Sequence, residues 1–265
     1  MLIRLHSFQV DAFTNRVFGG NPAAVVMLKE NLPNDTLLQI AKENALSETA
    51  FLLPAKESYI LRWFTPDLEM DLCGHATLAA SHILFTEFNH SQDQILFKTA
   101  SGDLIVSREE DSYLMDFPQR EAVEATLPIE ICDSLSIKPY GVYKARDYML
   151  LYKTQEEIEN IDINRSIIDE INLDPGGVII TAPGKDCDFV SRFFTPQSTI
   201  FEDPVTGSAH CTLAPFWSLK TGKSTMFAKQ LSERGGSMHC ILTEGRVILK
   251  GNAVTYSKGE IFIPK

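Results

Sequence analysis

The chain has 265 residues, 44% of them hydrophobic and 22% charged, with a net charge of −11. That is ordinary globular composition, long enough for two cores, and an acidic surface disfavours nucleic acid as a partner. No run approaches the roughly 20 apolar residues of a membrane-spanning helix, and the first residues read as a strand rather than a secretory signal.

Five cysteines, Cys73, Cys132, Cys187, Cys211 and Cys240, are scattered without a CxxC pair. This argues against a disulfide framework and a zinc site, and for the reducing cytoplasm.

Ile3 to Val10 mixes apolar and polar residues near period two, as a strand does. Phe18-Gly19-Gly20-Asn21-Pro22 is a turn, and Ala23 to Leu28 a short buried strand. A helix is expected from Asn34 to Asn44, capped by Asn34 or Asp35. Buried strands follow at Thr49–Leu53, stopped by Pro54, and at Tyr59–Phe64, stopped by Thr65-Pro66. Gly74 to Phe88 is helical and apolar nearly all round, which marks a buried helix. Three strands are expected near 95–99, 104–108 and 113–117. The polar stretch Pro118–Thr126 is the linker between an N-terminal domain, 1–118, and a C-terminal domain, 127–258; the last strand, 259–265, is free to return to the first domain.

The second half rhymes with the first. Arg62-Trp63-Phe64-Thr65-Pro66 reappears as Arg192-Phe193-Phe194-Thr195-Pro196, an offset of 130 residues. The helix starts at Gly74 and Gly207 match at an offset of 133, while His75-Ala76-Thr77-Leu78-Ala79 and His210-Cys211-Thr212-Leu213-Ala214 match at 135. The former puts the two helix starts in equivalent places. Gly102-Asp103-Leu104-Ile105-Val106 and Gly245-Arg246-Val247-Ile248-Leu249 form a further echo. A period near half the chain indicates duplication rather than a solenoid. The expected architecture is two pseudo-symmetric α/β domains, each wrapping strands around one apolar helix, with a site between them. No glycine fingerprint follows the first strand, so a Rossmann fold is not expected.

The first N–H groups of those helices, at Gly74, His75 and Ala76 and at Gly207, Ser208 and Ala209, lack intrahelical partners. They suit a small carboxylate or an enolate-like intermediate. The plainer reading is that the glycines only let each helix enter tightly. Glu48 stands beside a buried strand, where desolvation raises a carboxyl toward general acid/base use. A surface carboxylate paired with Lys42 explains the same pattern equally well. His75 at a helix start is expected to be neutral, and Cys73, just before that start, to have a lowered pKa. Asp203, in a turn before the second helix, reads as a cap.

Phe18-Gly19-Gly20-Asn21-Pro22, Leu46-Ser47-Glu48-Thr49-Ala50-Phe51, Leu72-Cys73-Gly74-His75-Ala76-Thr77-Leu78-Ala79 and Asp203-Pro204-Val205-Thr206-Gly207-Ser208-Ala209 follow in order. Together they resemble the phenazine-biosynthesis isomerase family (PhzF-like proteins) over essentially the whole chain. The resemblance implies a diaminopimelate epimerase-like α/β (α+β) fold, with a mixed sheet curled around a central helix in each domain. It also implies a cytoplasmic homodimer that moves a proton on a small carboxylate without a cofactor or metal. Glu48 matches the family's catalytic glutamate, and His75 and Asp203 its supporting histidine and aspartate. Gly74, Gly207 and Ser208 match substrate-holding residues, and Asn21 and Ala76 are expected beside them. Related epimerases use two cysteines; here Cys73 stands alone. The alternatives are an epimerase or racemase using Cys73 with Asp203, and a non-catalytic binder of small anions or proteins. One departure is Arg234-Gly235-Gly236, where the family carries Gln-Gly and then Gly-Arg-Pro.

Overall fold

The computed structural model describes residues 2–173 and 176–264. The chain divides into two compact units, Met1–Asp116 with Leu249–Lys265, and Phe117–Ile248.

The first unit is built in chain order from β1 (Leu2–Ala12), β2 (Asn21–Met27), α1 (Asn34–Asn44), β3 (Glu48–Ala55), β4 (Ser58–Phe64), β5 (Glu69–Met70), α2 (Gly74–Thr86), β6 (Gln94–Thr99), β7 (Gly102–Glu109) and β8 (Ser112–Pro118). β2 and β3 are parallel, so a crossover must join them, and α1 supplies it. β3 and β4 form an antiparallel pair, β4 takes the short β5 on part of its edge, and α2 carries the chain over to β6, parallel to β4. Eleven of the thirteen residues of α2 are buried, as a helix apolar nearly all round requires. It packs on β1, β2 and β3. A second apolar layer places Leu37, Ile40 and Ala41 of α1 against Leu5, Val26, Phe51 and Phe64.

Two details differ from the sequence reading. Neither Asn34 nor Asp35 caps α1: Pro33 occupies the cap, and Asn34 Oδ1 instead accepts from Arg62 Nη2 at 2.8 Å. Proline has no N–H to lose at a helix start. Pro54 does not stop β3 but lies within it, exposed and beyond the last residue paired to β2, where no ladder donor is needed.

The second unit runs β9 (Val123–Glu124), α3 (Ile129–Ser134), β10 (Gly141–Lys144), β11 (Tyr148–Leu151), α4 (Gln155–Asn160), α5 (Arg165–Ile168), β12 (Val178–Pro183), β13 (Phe189–Phe194), β14 (Glu202–Asp203), α6 (Gly207–Thr221), β15 (Thr225–Gln230) and β16 (Gly236–Thr243). β9 falls in the stretch expected to be a bare linker, and pairs with β10. β17 (Arg246–Gly251) leads to β18 (Ala253–Pro264), which returns to the first unit and pairs antiparallel with β1 over nearly its whole length.

The duplication read in the sequence is a duplication of pairing. In the second unit β11 and β12 are parallel, β12 and β13 antiparallel, and β13 takes the short β14 before α6 leads to the parallel β15. That is the order of β2, β3, β4, β5, α2 and β6. The repeated arginines do the same job in both halves. Arg62 clamps Glu69 through two bonds of 2.7 Å, and Arg192 clamps Glu202 through bonds of 2.7 and 2.9 Å. Each guanidinium also lies over the ring two residues on, Phe64 or Phe194, at 5.1 and 4.9 Å from its centre.

α6 contains Pro215, which leaves the carbonyl of Cys211 without its helical donor. The backbone N–H of Arg120 fills that place at 2.9 Å. Among the described residues no helix is long and apolar enough to cross a membrane.

Candidate active site

Glu48 opens β3, aligned with Ala23 of β2. The chain reaches it from α1 through Ala45, which holds the left-handed conformation (φ 51°) and reverses the direction at once. His75 is the second residue of α2 and is 3% exposed. Its Nε2 lies 3.1 Å from Glu48 Oε2, and the Glu48 side chain is 14% exposed. The approach is off the hydrogen-bond axis, and neither atom has an aligned bond to any other described residue. Both are buried polar atoms aimed at one small space.

The other ring nitrogen is held from two sides. Asn21 Nδ2 lies 3.1 Å from His75 Nδ1, and Cys73 Sγ lies 3.6 Å from it. Asn21 starts β2 and is fully buried. It is delivered there by Gly20, whose φ of +62° and whose closeness to the Ala12 carbonyl leave no room for a Cβ. Expected as a substrate contact, Asn21 is in this structure a partner of His75. Cys73 is the extended N-cap of α2, and Gly74 and Ala76 are that helix's first and third residues.

Burial alone pushes the His75 ring down. The negative charges that Cys73 and Glu48 can carry push it up by more, so its pKa lies well above 6.5. The neutral imidazole expected at a helix start is therefore corrected: the charges that Cys73 and Glu48 can carry outweigh burial. Cys73 is corrected in the opposite sense. Burial, then the Glu48 charge, push its thiol up to about 11, against the weaker downward pull of His75. A helix start lowers a thiol pKa only where the thiolate can be solvated or paired.

The donor atoms of Glu48, Cys73 and His75 also lie within 4.8 Å of one another.

In the second unit Asp203 closes β14, and Thr206 is the N-cap of α6. Asp203 Oδ2 accepts from the Thr206 hydroxyl. Gln230, 2% exposed, ties this turn together. Its Oε1 accepts from Thr206 N at 2.8 Å, while its Nε2 donates to Asp203 O at 2.7 Å. Gly207 and Ser208 are the first two residues of α6. Arg146 Nη2 donates to Ser208 Oγ at 3.0 Å. The atypical segment around Arg234 is anchored to the same turn, since Ser232 Oγ donates to Pro204 O at 2.8 Å and accepts from Gly235 N at 3.1 Å. His210 is fully buried; its Nδ1 bonds to Thr206 O at 2.8 Å, and burial pushes its pKa down to about 4. Gln230 and Arg146 were absent from the sequence reading. No local motif marks either, and each reaches the helix start from a distant segment.

The sequence pattern of the family described as "PhzC-PhzF: Phenazine biosynthesis-like protein" matches residues 10–259. An uncharacterized isomerase of Pseudomonas aeruginosa is 41% identical, covering 98% of this chain and 99% of its own. A human phenazine biosynthesis-like domain-containing protein is 36% identical over 98% of this chain and 99% of its own. The crystal structure of a PhzF family protein from Enterococcus faecalis has a TM-score of 0.93 and 42% identity, covering 98% and 100% of the two chains. A hydroxyproline epimerase from Agrobacterium vitis, solved with bound trans-4-hydroxy-L-proline, shares the fold at a TM-score of 0.62 and 11% identity, covering 99% and 93%.

Proposed function

Because this chain belongs to the phenazine biosynthesis-like protein family, we propose that it is a cofactor-independent isomerase that moves a proton on a small carboxylate-bearing substrate. Glu48 is the general acid/base. The observation that carries this reading is the buried pair of Glu48 Oε2 and His75 Nε2, 3.1 Å apart. Relatives at 41% and 42% identity bear the name isomerase, which supports the reaction class.

In the proposed step, Glu48 takes a proton from a substrate carbon as the C–H bond breaks. The electron pair left behind shifts into an adjacent double bond. Glu48 then returns the proton to another carbon, so the substrate is isomerised and nothing is consumed. Protonating Glu48 removes its attraction to the His75 ring, so the proton is passed on rather than kept. The N–H groups of Gly74 and Ala76 are read as donors to the substrate's negative charge. The parts assigned to Asp203, Gly207 and Ser208 rest on the sequence repeat and on family membership.

The test is deuterium uptake from heavy water into a panel of small unsaturated and amino carboxylates, followed by mass spectrometry. Wild type incorporates deuterium into at least one compound, and Glu48→Gln loses that exchange by at least about 100-fold. Equal exchange by both proteins sinks the role of Glu48.

A further inference from the structure

Three side chains of different chemistry converge on one buried spot in the first unit. Glu48 brings a carboxylate from β3, Cys73 a thiol from the N-cap of α2, and His75 an imidazole from the first turn of that helix. One donor atom of each lies within 4.8 Å of the other two, and no other such group of His, Cys, Asp or Glu is found among the described residues. Cys73 and His75 are both buried. Glu48 Oε2 and His75 Nε2 face each other at 3.1 Å without an aligned hydrogen bond to any described residue. Buried polar atoms in that state cost stability, and a cation between them satisfies both.

The donor set selects the cation. Magnesium and calcium are held by oxygen, whereas zinc takes carboxylate, imidazole and thiolate together. Ligand atoms about 2.0–2.3 Å from a tetrahedral zinc ion stand roughly 3.3–3.8 Å apart. The Glu48–His75 spacing is of that order, and the widest separation in the trio exceeds the range by about 1 Å, within reach of side-chain rotation at Glu48 and Cys73. Nε2 is the ring nitrogen left for the metal, because Asn21 holds Nδ1 at 3.1 Å. With Nε2 on the metal, Nδ1 carries the proton, and the Asn21 amide, turned over, offers it an oxygen.

We propose that Glu48, Cys73 and His75 form a three-ligand site for a zinc-type divalent cation, and that the bound ion inhibits by occupying the carboxylate and the ring nitrogen that the proton shuttle needs. On binding, the Cys73 S–H bond breaks and a metal–sulfur bond forms; that proton, and any proton on Nε2, pass to water. A water molecule completes the fourth position. The site goes beyond the isomerase reading, and only the inhibition rests on it.

The test is a titration of Co²⁺ into the full chain. Cobalt in a tetrahedral site absorbs in the visible, and a thiolate ligand adds a charge-transfer band in the near ultraviolet. Wild type is expected to show both signals, and Zn²⁺ but not Mg²⁺ to bleach them. Cys73→Ser is expected to lose the charge-transfer band. Cys73→Ser, His75→Gln and Glu48→Gln each weaken cobalt binding at least about 10-fold. Should the variants not fold, an anomalous map of zinc-soaked wild-type crystals replaces them, with zinc expected about 2.0–2.3 Å from the three donor atoms. A charge-transfer band that persists in Cys73→Ser, a wild type without the tetrahedral spectrum, or zinc elsewhere in the map overturns the site.

Saturating Zn²⁺ is expected to suppress the deuterium exchange of wild type at least about 10-fold, and a chelator to restore it. Exchange that continues with zinc bound overturns the inhibition. Glu48→Gln separates the two failures. Exchange retained by that variant defeats the isomerase reading while the cobalt spectrum of wild type stands. A colourless wild type defeats the site while the loss of exchange in Glu48→Gln stands.

Discussion

Glu48 and His75 meet at 3.1 Å although one opens a strand and the other, 27 residues later, is the second residue of a helix. The charges that Cys73 and Glu48 can carry raise the pKa of His75 well above 6.5, so the folded state holds a proton that the unfolded chain releases near that value. The sign follows directly. The stabilisation from His75 is complete below about pH 6.5 and is lost as pH rises through the folded value. Urea unfolding of wild type from pH 6 upward is expected to show that decline, and His75→Gln to lack it. A decline that survives in His75→Gln would place its source elsewhere.

His82 and His210 act in the opposite direction. Burial lowers both to about 4. His82 is held between Tyr113 Oη at 2.9 Å and Thr255 Oγ1 at 3.0 Å. Their stabilisation is present above about pH 6.5 and is lost as pH falls toward 4, by up to about 3 kcal/mol each. His210→Gln is expected to lose stability less steeply than wild type across that window. An unchanged slope in equilibrium unfolding would count against the buried neutral ring.

The repeated arginines have unequal surroundings. Arg62 adds a bond to Asn34, whereas Arg192 Nη1 donates to the carbonyls of Ile158 and Ile161, at 3.2 and 3.3 Å, beside the end of α4. Arg192→Ala therefore strands two backbone acceptors as well as Glu202. It is expected to cost about 3 kcal/mol, against about 1–2 kcal/mol for Arg62→Ala. Equal shifts in denaturation midpoint for the two variants would refute the distinction.

Cysteine labelling separates the proton-shuttle reading from a thiol mechanism. Cys73, Cys211 and Cys240 are buried, and burial raises all three, while Cys132 is half-buried. Iodoacetamide at pH 8 is expected to modify Cys132 in the native protein and Cys73 only after unfolding. Rapid native labelling of Cys73, read by peptide mass spectrometry, would favour the epimerase alternative.

Much of this was legible in the sequence. The Arg-x-Phe-Thr-Pro repeat announced a duplicated pairing pattern because the arginine, the ring and the turn are all needed locally. Helix α2 was legible because its composition leaves no polar face. Glu48, Cys73 and His75 came from motifs that the fold brings together. What could not be read was the partner of each. The amide of Asn21 reaches His75 across 54 residues, and Arg146 reaches Ser208 across 62. Such contacts are set by strand register, not by local pattern. The pKa directions of Cys73 and His75 were misjudged for the same reason. Proximity to a helix start is visible in sequence, but burial and the neighbouring carboxylate are not.

The return of β18 to β1 has a consequence for how the protein is made. β18 supplies the antiparallel partner of β1 from Leu2 to Ala12, and Thr255 of that strand completes the bonding of His82 on α2. During synthesis the first unit emerges early but lacks its closing strand until the far end of the chain has been translated. All of Phe117–Ile248 is available before then. The second unit can thus reach its final pairing first, while β1 waits with one edge open until β18 has emerged.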